Sequence, residues 1–75
     1  MTTFDLIDAL LSAVPTDMER EDDFDIRRPC YSVSALASHF GNTSASEIAR
    51  AFEGVPIFRN ELRIYLRGHF ARRGL

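Results

Sequence analysis

The chain has 75 residues, 45% of them hydrophobic and 27% charged, with a formal net charge of −2. This balance excludes the disordered class, which pairs low hydrophobicity with high net charge, and the length holds one domain (residues 1–75) with a small core. A single cysteine excludes an intramolecular disulfide, and together with two distant histidines it leaves no zinc site, so no metal and no cofactor is expected.

No apolar run is long enough to span a bilayer, and no basic stretch leads into a signal-like apolar segment, so a cytoplasmic protein is expected. The charge is segregated along the chain. Residues 1–29 carry eight acids against three bases, a balance of −5, and residues 30–75 carry three acids against six bases, a balance of +3. Every base is an arginine. Ordinary solvated faces account for most such surfaces, but sign segregation also accompanies charged partners.

The first element predicted is a helix from Thr3 to Val14. Thr3 is its candidate cap, and Phe4, Ile7, Leu11 and Val14 recur at helical spacing, with Leu6 and Leu10 widening the stripe. Pro15 ends it, because a proline pushes the preceding residue out of helical geometry. Thr16 to Pro29 reads as a polar, acidic loop. Thr16 and Glu19 match a capping box for a short helical turn, and Phe24 and Ile26 are the expected anchors to the core.

Cys30 and Tyr31 suggest a brief strand. A helix capped by Ser32 or Ser34 follows, with Val33, Leu36, Ala37 and Phe40 as its apolar stripe and Gly41 as its left-handed stop. After a Gly41-Asn42-Thr43 turn, Ser44 and Glu47 form a second capping box. Ala45, Ile48, Ala49 and Phe52 are the stripe of that helix, and Gly54 ends it. Leu36, Phe40, Ile48 and Phe52 are expected to fill the wedge between the two helices, with small Ala37 at their crossing.

The last segment carries two periodicities. Leu62, Ile64 and Leu66 alternate with Arg63, Tyr65 and Arg67 as in a half-buried strand, which would pair with Val55–Phe58 through an Arg59-Asn60-Glu61 turn. Leu62, Tyr65, Leu66 and Phe70 also fit a helix capped by Asn60. Gly68 costs a helix about 1 kcal/mol relative to alanine, and the hairpin is preferred on that ground. His69 to Leu75 would form a short terminal helix or a frayed end.

Two short helices around a glycine turn, backed by a hairpin, resemble a winged helix-turn-helix domain over residues 30–67, with the first predicted helix completing the set. The fold class expected is mainly α with a small β-hairpin: three core helices plus a short wing. Three features depart from that family. Glu47 occupies the slot of an apolar residue that comes one place later as Ile48, the wing turn is very short, and the acidic loop is long.

The resemblance implies that Ser44, Ser46, Glu47 and Arg50 on the second helix of the pair would face a DNA groove, with Arg59, Arg63 and Arg67 on the wing holding phosphates. Phosphate contacts dominate such affinity, and an acidic chain of pI near 5.5 supplies few of them.

No catalytic set emerges. Cys30 has no base at usable spacing, His39 and His69 stand apart, and Asp22, Asp23 and Asp25 lack the glycine and terminal glutamate of a calcium loop. A non-enzymatic protein is therefore expected. Two readings remain. In the first, the acidic residues Asp17, Glu19, Glu21, Asp22, Asp23 and Asp25 dock a basic surface on a larger protein or nucleoprotein complex, as a small phage- or mobile-element-encoded inhibitor of anti-CRISPR type would. The alternative is a DNA-binding regulator using Ser44, Ser46, Arg50, Arg59, Arg63 and Arg67, which a homodimer would strengthen. The acidic net charge favours the first.

Overall fold

The computed structural model describes residues 2–72. The elements run α1 (Thr3–Ser12), β1 (Met18–Glu21), β2 (Arg27–Tyr31), α2 (Val33–Phe40), α3 (Asn42–Phe52), β3 (Ile57–Phe58) and α4 (Arg59–Arg72). Among the described residues this is an α+β fold of four helices and one antiparallel sheet, in the order β1-β2-β3. The Phe4 side chain and residues 73–75, which fall in the first apolar stripe and the predicted tail, lie outside the described residues. No helix among the described residues is long and apolar enough to cross a membrane.

The cap of α1 is Thr2, one place before the expected Thr3. Its hydroxyl accepts from the Asp5 amide at 3.1 Å, and the Asp5 carboxylate accepts the Thr2 amide at 3.0 Å. This reciprocal pair satisfies two amides that a helix start leaves without partners. The buried stripe is narrower than predicted. Ile7, Leu11 and Val14 are buried, whereas Leu6 and Leu10 stay substantially exposed.

The acidic segment is not a loop with a helical turn. It forms a β-hairpin in which Met18 pairs with Cys30, Glu19 with Pro29, Arg20 with Arg28 and Glu21 with Arg27. The turn is built by Asp22. Its amide donates to the Ile26 carbonyl at 2.9 Å, and the Asp25 amide donates to the Asp22 carbonyl at 3.0 Å. The Asp22 Oδ1 accepts the amides of Phe24 and Ile26 at 2.9 and 3.0 Å. Asp25 sits in the left-handed region at φ 60°, which aspartate tolerates better than most residues.

Ser32 caps α2, accepting from the Ala35 amide at 3.0 Å. Gly41, at φ 90°, closes α2 and opens α3 with no intervening residue. The predicted three-residue turn is therefore a single-residue corner. Asn42 and Thr43 are already helical, and the Ser44 capping box does not form. Ala45, rather than Ala37, is the small residue buried completely; Leu36 and Ile48 are buried beside it, and Phe40 and Phe52 pack at the edge.

The predicted C-terminal wing is absent, because Arg59–Arg72 is a helix. Leu62 and Leu66 are 0% and 9% exposed, but Ile64 is 66% exposed, which the strand reading would have placed in the core. Leu62 and Leu66 would be buried in either form, but the helix also packs Tyr65 and Phe70 against the core. Partial burial of two large aromatic side chains, each worth up to about 1.5–3 kcal/mol, outweighs the penalty of about 1 kcal/mol at Gly68. Ile57 and Phe58 pair with β2 instead, Cys30 opposite Phe58 and Tyr31 opposite Ile57. Tyr31 and Ile57 join the central cluster with Ile7, Leu11, Val14, Leu36, Ala45, Ile48, Leu62 and Leu66.

Candidate partner-binding surface

The six acids proposed to meet a partner divide into two groups. Asp17 is structural. Its carboxylate accepts the Ser32 hydroxyl at 2.5 Å and the Ser32 amide at 2.9 Å, tying the entry of β1 to the start of α2. These bonds, the hydroxyl first, hold its carboxyl below the ordinary aspartate value. Asp22 is structural too. The Ile26 amide foremost, then the Phe24 amide and the Arg28 guanidinium, keep its carboxyl low. Glu19 makes an exposed ion pair with Arg27 at 3.4 Å. Glu21, Asp23 and Asp25 are exposed, and none of the three has an ion pair among the described residues. A charge-reversal test at Asp22 would therefore disturb the turn; Glu21 and Asp23 are the positions where charge changes without touching a structural bond.

Phe24 and Ile26 are not core anchors. Phe24 is 83% exposed and Ile26 58% exposed, at the hairpin tip between and beside Asp23 and Asp25. Asp22 turns the chain and leaves both side chains outside. The sequence carried one signal for this, an aspartate two residues before Phe24 and four before Ile26, the spacing of a side-chain-closed turn.

The hairpin is braced from behind by Arg28. Its guanidinium lies 4.1 Å from the Phe58 ring centroid, binds both Glu61 oxygens at 3.1 and 3.2 Å, and reaches Asp22 at 3.7 Å. One side chain thus links the turn, β3 and the first turn of α4.

The residues of the DNA reading are scattered. Ser46 and Arg50 are exposed along α3 with Asn42, Thr43 and Glu47. Ser44 is half-buried and lines a separate groove of about 190 Å³ with Phe40, Tyr65 and His69. Arg59 donates to the Ser12 hydroxyl at 3.3 Å. Arg63 forms a forked pair with Asp8 on α1, at 2.7 and 3.2 Å. Arg67 is exposed two turns beyond Arg59. Tyr65 packs edge-on against Phe52 of α3, at 5.9 Å between centroids. Helical geometry sets Arg63 and Tyr65 about 160° apart around α4, so Arg59 and Arg63 flank α1 rather than extend the outer face of α3.

Cys30 is buried, and burial pushes its thiol up, away from the reactive thiolate. Among the described residues no three His, Cys, Asp or Glu side chains converge as a metal ligand set. No family model, curated protein or solved structure matches the chain.

Proposed function

We propose that the protein is a non-enzymatic binding module whose acidic hairpin docks onto a basic surface of a larger protein or nucleoprotein complex and blocks it. The observation that carries this reading is the hairpin tip, a fixed turn that holds Phe24 83% exposed between Asp23 and Asp25. Interfaces are enriched in aromatic side chains, phenylalanine among them, at a core surrounded by a polar rim, and like-signed acids steer a cationic partner. The lone buried Cys30 suits a reducing compartment.

The test is capture from nuclease-treated host lysate with the natural chain, with Glu21→Lys plus Asp23→Lys, and with Phe24→Ser. The expected result is a basic protein retained by the natural chain and lost with both variants. Capture that survives both changes overturns the reading.

A second reading treats α2 and α3 as a helix-turn-helix pair of winged-helix type that binds DNA. Its support is the polar outer strip of α3, Asn42, Thr43, Ser46 and Arg50. Glu47 within that strip and the Asp8 clamp on Arg63 weigh against it. Duplex binding at low salt that is lost on Arg50→Ala would favour this reading over the first.

A further inference from the structure

We propose that β1 is a docking edge, on which an extended lysine- or arginine-bearing segment of the partner adds to the sheet as a strand. The proposal rests on the protein-binding reading above and specifies how the hairpin engages. β1 ends the sheet order, with β2 on its inner side. The ladder phase identifies which of its backbone groups face outward. Asp22 donates its amide to Ile26, so that pair is hydrogen-bonded. Bonded and non-bonded pairs alternate in an antiparallel ladder. The register then makes Arg20 with Arg28 and Met18 with Cys30 the bonded pairs, and leaves Glu19 with Pro29 and Glu21 with Arg27 non-bonded. Pro29, which has no amide hydrogen to give, fits a non-bonded place. The amides and carbonyls of Glu19 and Glu21 therefore point away from β2, toward open solvent.

The four β1 residues also border a shallow depression of about 670 Å³ with Arg27 of β2 and Pro56 before β3, which lies over the sheet on the inner side of β1 and leaves the outer edge itself uncovered by it. Side chains alternate across a strand, so Glu19 and Glu21 share one face, roughly 7 Å apart. Residues at i and i+2 of an added strand have that same spacing, so one meets the exposed Glu21 carboxylate and the other meets Glu19, where it shares the carboxylate with Arg27. Opposite charges directly across a sheet stabilise the pair, and like charges oppose it.

The same geometry argues against a second copy as the occupant. A twofold axis joining two β1 edges stands perpendicular to the sheet and preserves its faces. Glu19 would then lie opposite Glu19 or Glu21 of the other copy. The acids that discourage self-pairing are the ones that welcome a basic strand, a use of β-strand addition with side-chain selection.

The probe is a synthetic peptide alternating lysine with valine and threonine, titrated into the isotope-labelled protein. Two N-methylated versions, each lacking one alternate set of amides, and a glutamate-for-lysine version serve as comparisons. The parent peptide is expected to shift and protect the Glu19 and Glu21 amides. One N-methylated version should bind about tenfold more weakly, because it loses the hydrogen bonds to the edge, and the glutamate peptide should not bind. If both N-methylated peptides bind as well as the parent, strand addition is overturned while the acidic-surface reading survives. If the parent fails to protect those amides, strand addition is overturned, and the lysate capture with Glu21→Lys plus Asp23→Lys decides the broader reading separately. Concentration-dependent protection of the same amides without peptide would show the edge closing on a second copy and also overturns the proposal.

Discussion

Gly68→Ala separates the helical from the extended form of the C-terminal segment. Gly68 lies inside α4, and its φ is not in the left-handed region. A Cβ built there meets only the Arg72 Nη1 at 3.7 Å, an ordinary contact with the end of a flexible side chain. Alanine should therefore gain the full helix-propensity difference, about 1 kcal/mol. For a chain of this size that is a rise of about 4–8 °C in Tm. The assay is thermal and urea unfolding by far-ultraviolet circular dichroism. Ile64→Lys is the companion. At 66% exposure, its change should stay within about 0.5 kcal/mol, whereas Leu62→Ala, from a fully buried position, should cost about 2–5 kcal/mol. A lower melting point for Gly68→Ala, or a loss at Ile64 as large as that at Leu62, would refute the reasoning.

Three further outcomes follow from the core and the hairpin. Tyr31 is 2% exposed, and its hydroxyl has no hydrogen-bond partner among the described residues. Tyr31→Phe should leave the urea midpoint unchanged or raise stability by about 1 kcal/mol, and a clear loss would reveal a partner. Asp17 has a lowered pKa, so its contribution is present above the ordinary value of 3.8 and drains away as pH falls through the folded value. Asp17→Ala should lower the melting point at neutral pH and flatten the acid limb of the Tm–pH curve; an unchanged limb would show that the Ser32 cap carries no linkage. Phe24→Ser should move the unfolding free energy by no more than about 0.5 kcal/mol, and a larger loss in denaturant titration would mean that the tip packs on something.

The helices α2 and α3 were legible because each buries one face, and Leu36, Phe40, Ile48 and Phe52 mark it at helical spacing. β1 was not, since Met18 is half-buried and Glu19, Arg20 and Glu21 are exposed. A strand with no buried face writes no alternation into its sequence; its existence follows from the Asp22 turn and from pairing with β2. The segment 59–72 failed for the opposite reason. Leu62 and Leu66 satisfy both periods, and only the exposure of Ile64, a tertiary outcome of packing against α1, separates them. The acids of the candidate surface were all visible, but their duties were not. Asp17 meets Ser32 across 15 residues, a partnership that no local pattern encodes.

Arg28 gives the hairpin a mechanical character. Because one guanidinium grips the turn, stacks on Phe58 and clasps Glu61, the tip is stiffened before any encounter, and a partner need not freeze a floppy arm on arrival. Loosening that rivet, as in Arg28→Ala, should leave every residue at the tip in place yet make association entropically dearer. If the hairpin docks as proposed, the tightness of binding at Phe24 would then depend on a side chain of β2 that lies outside the tip.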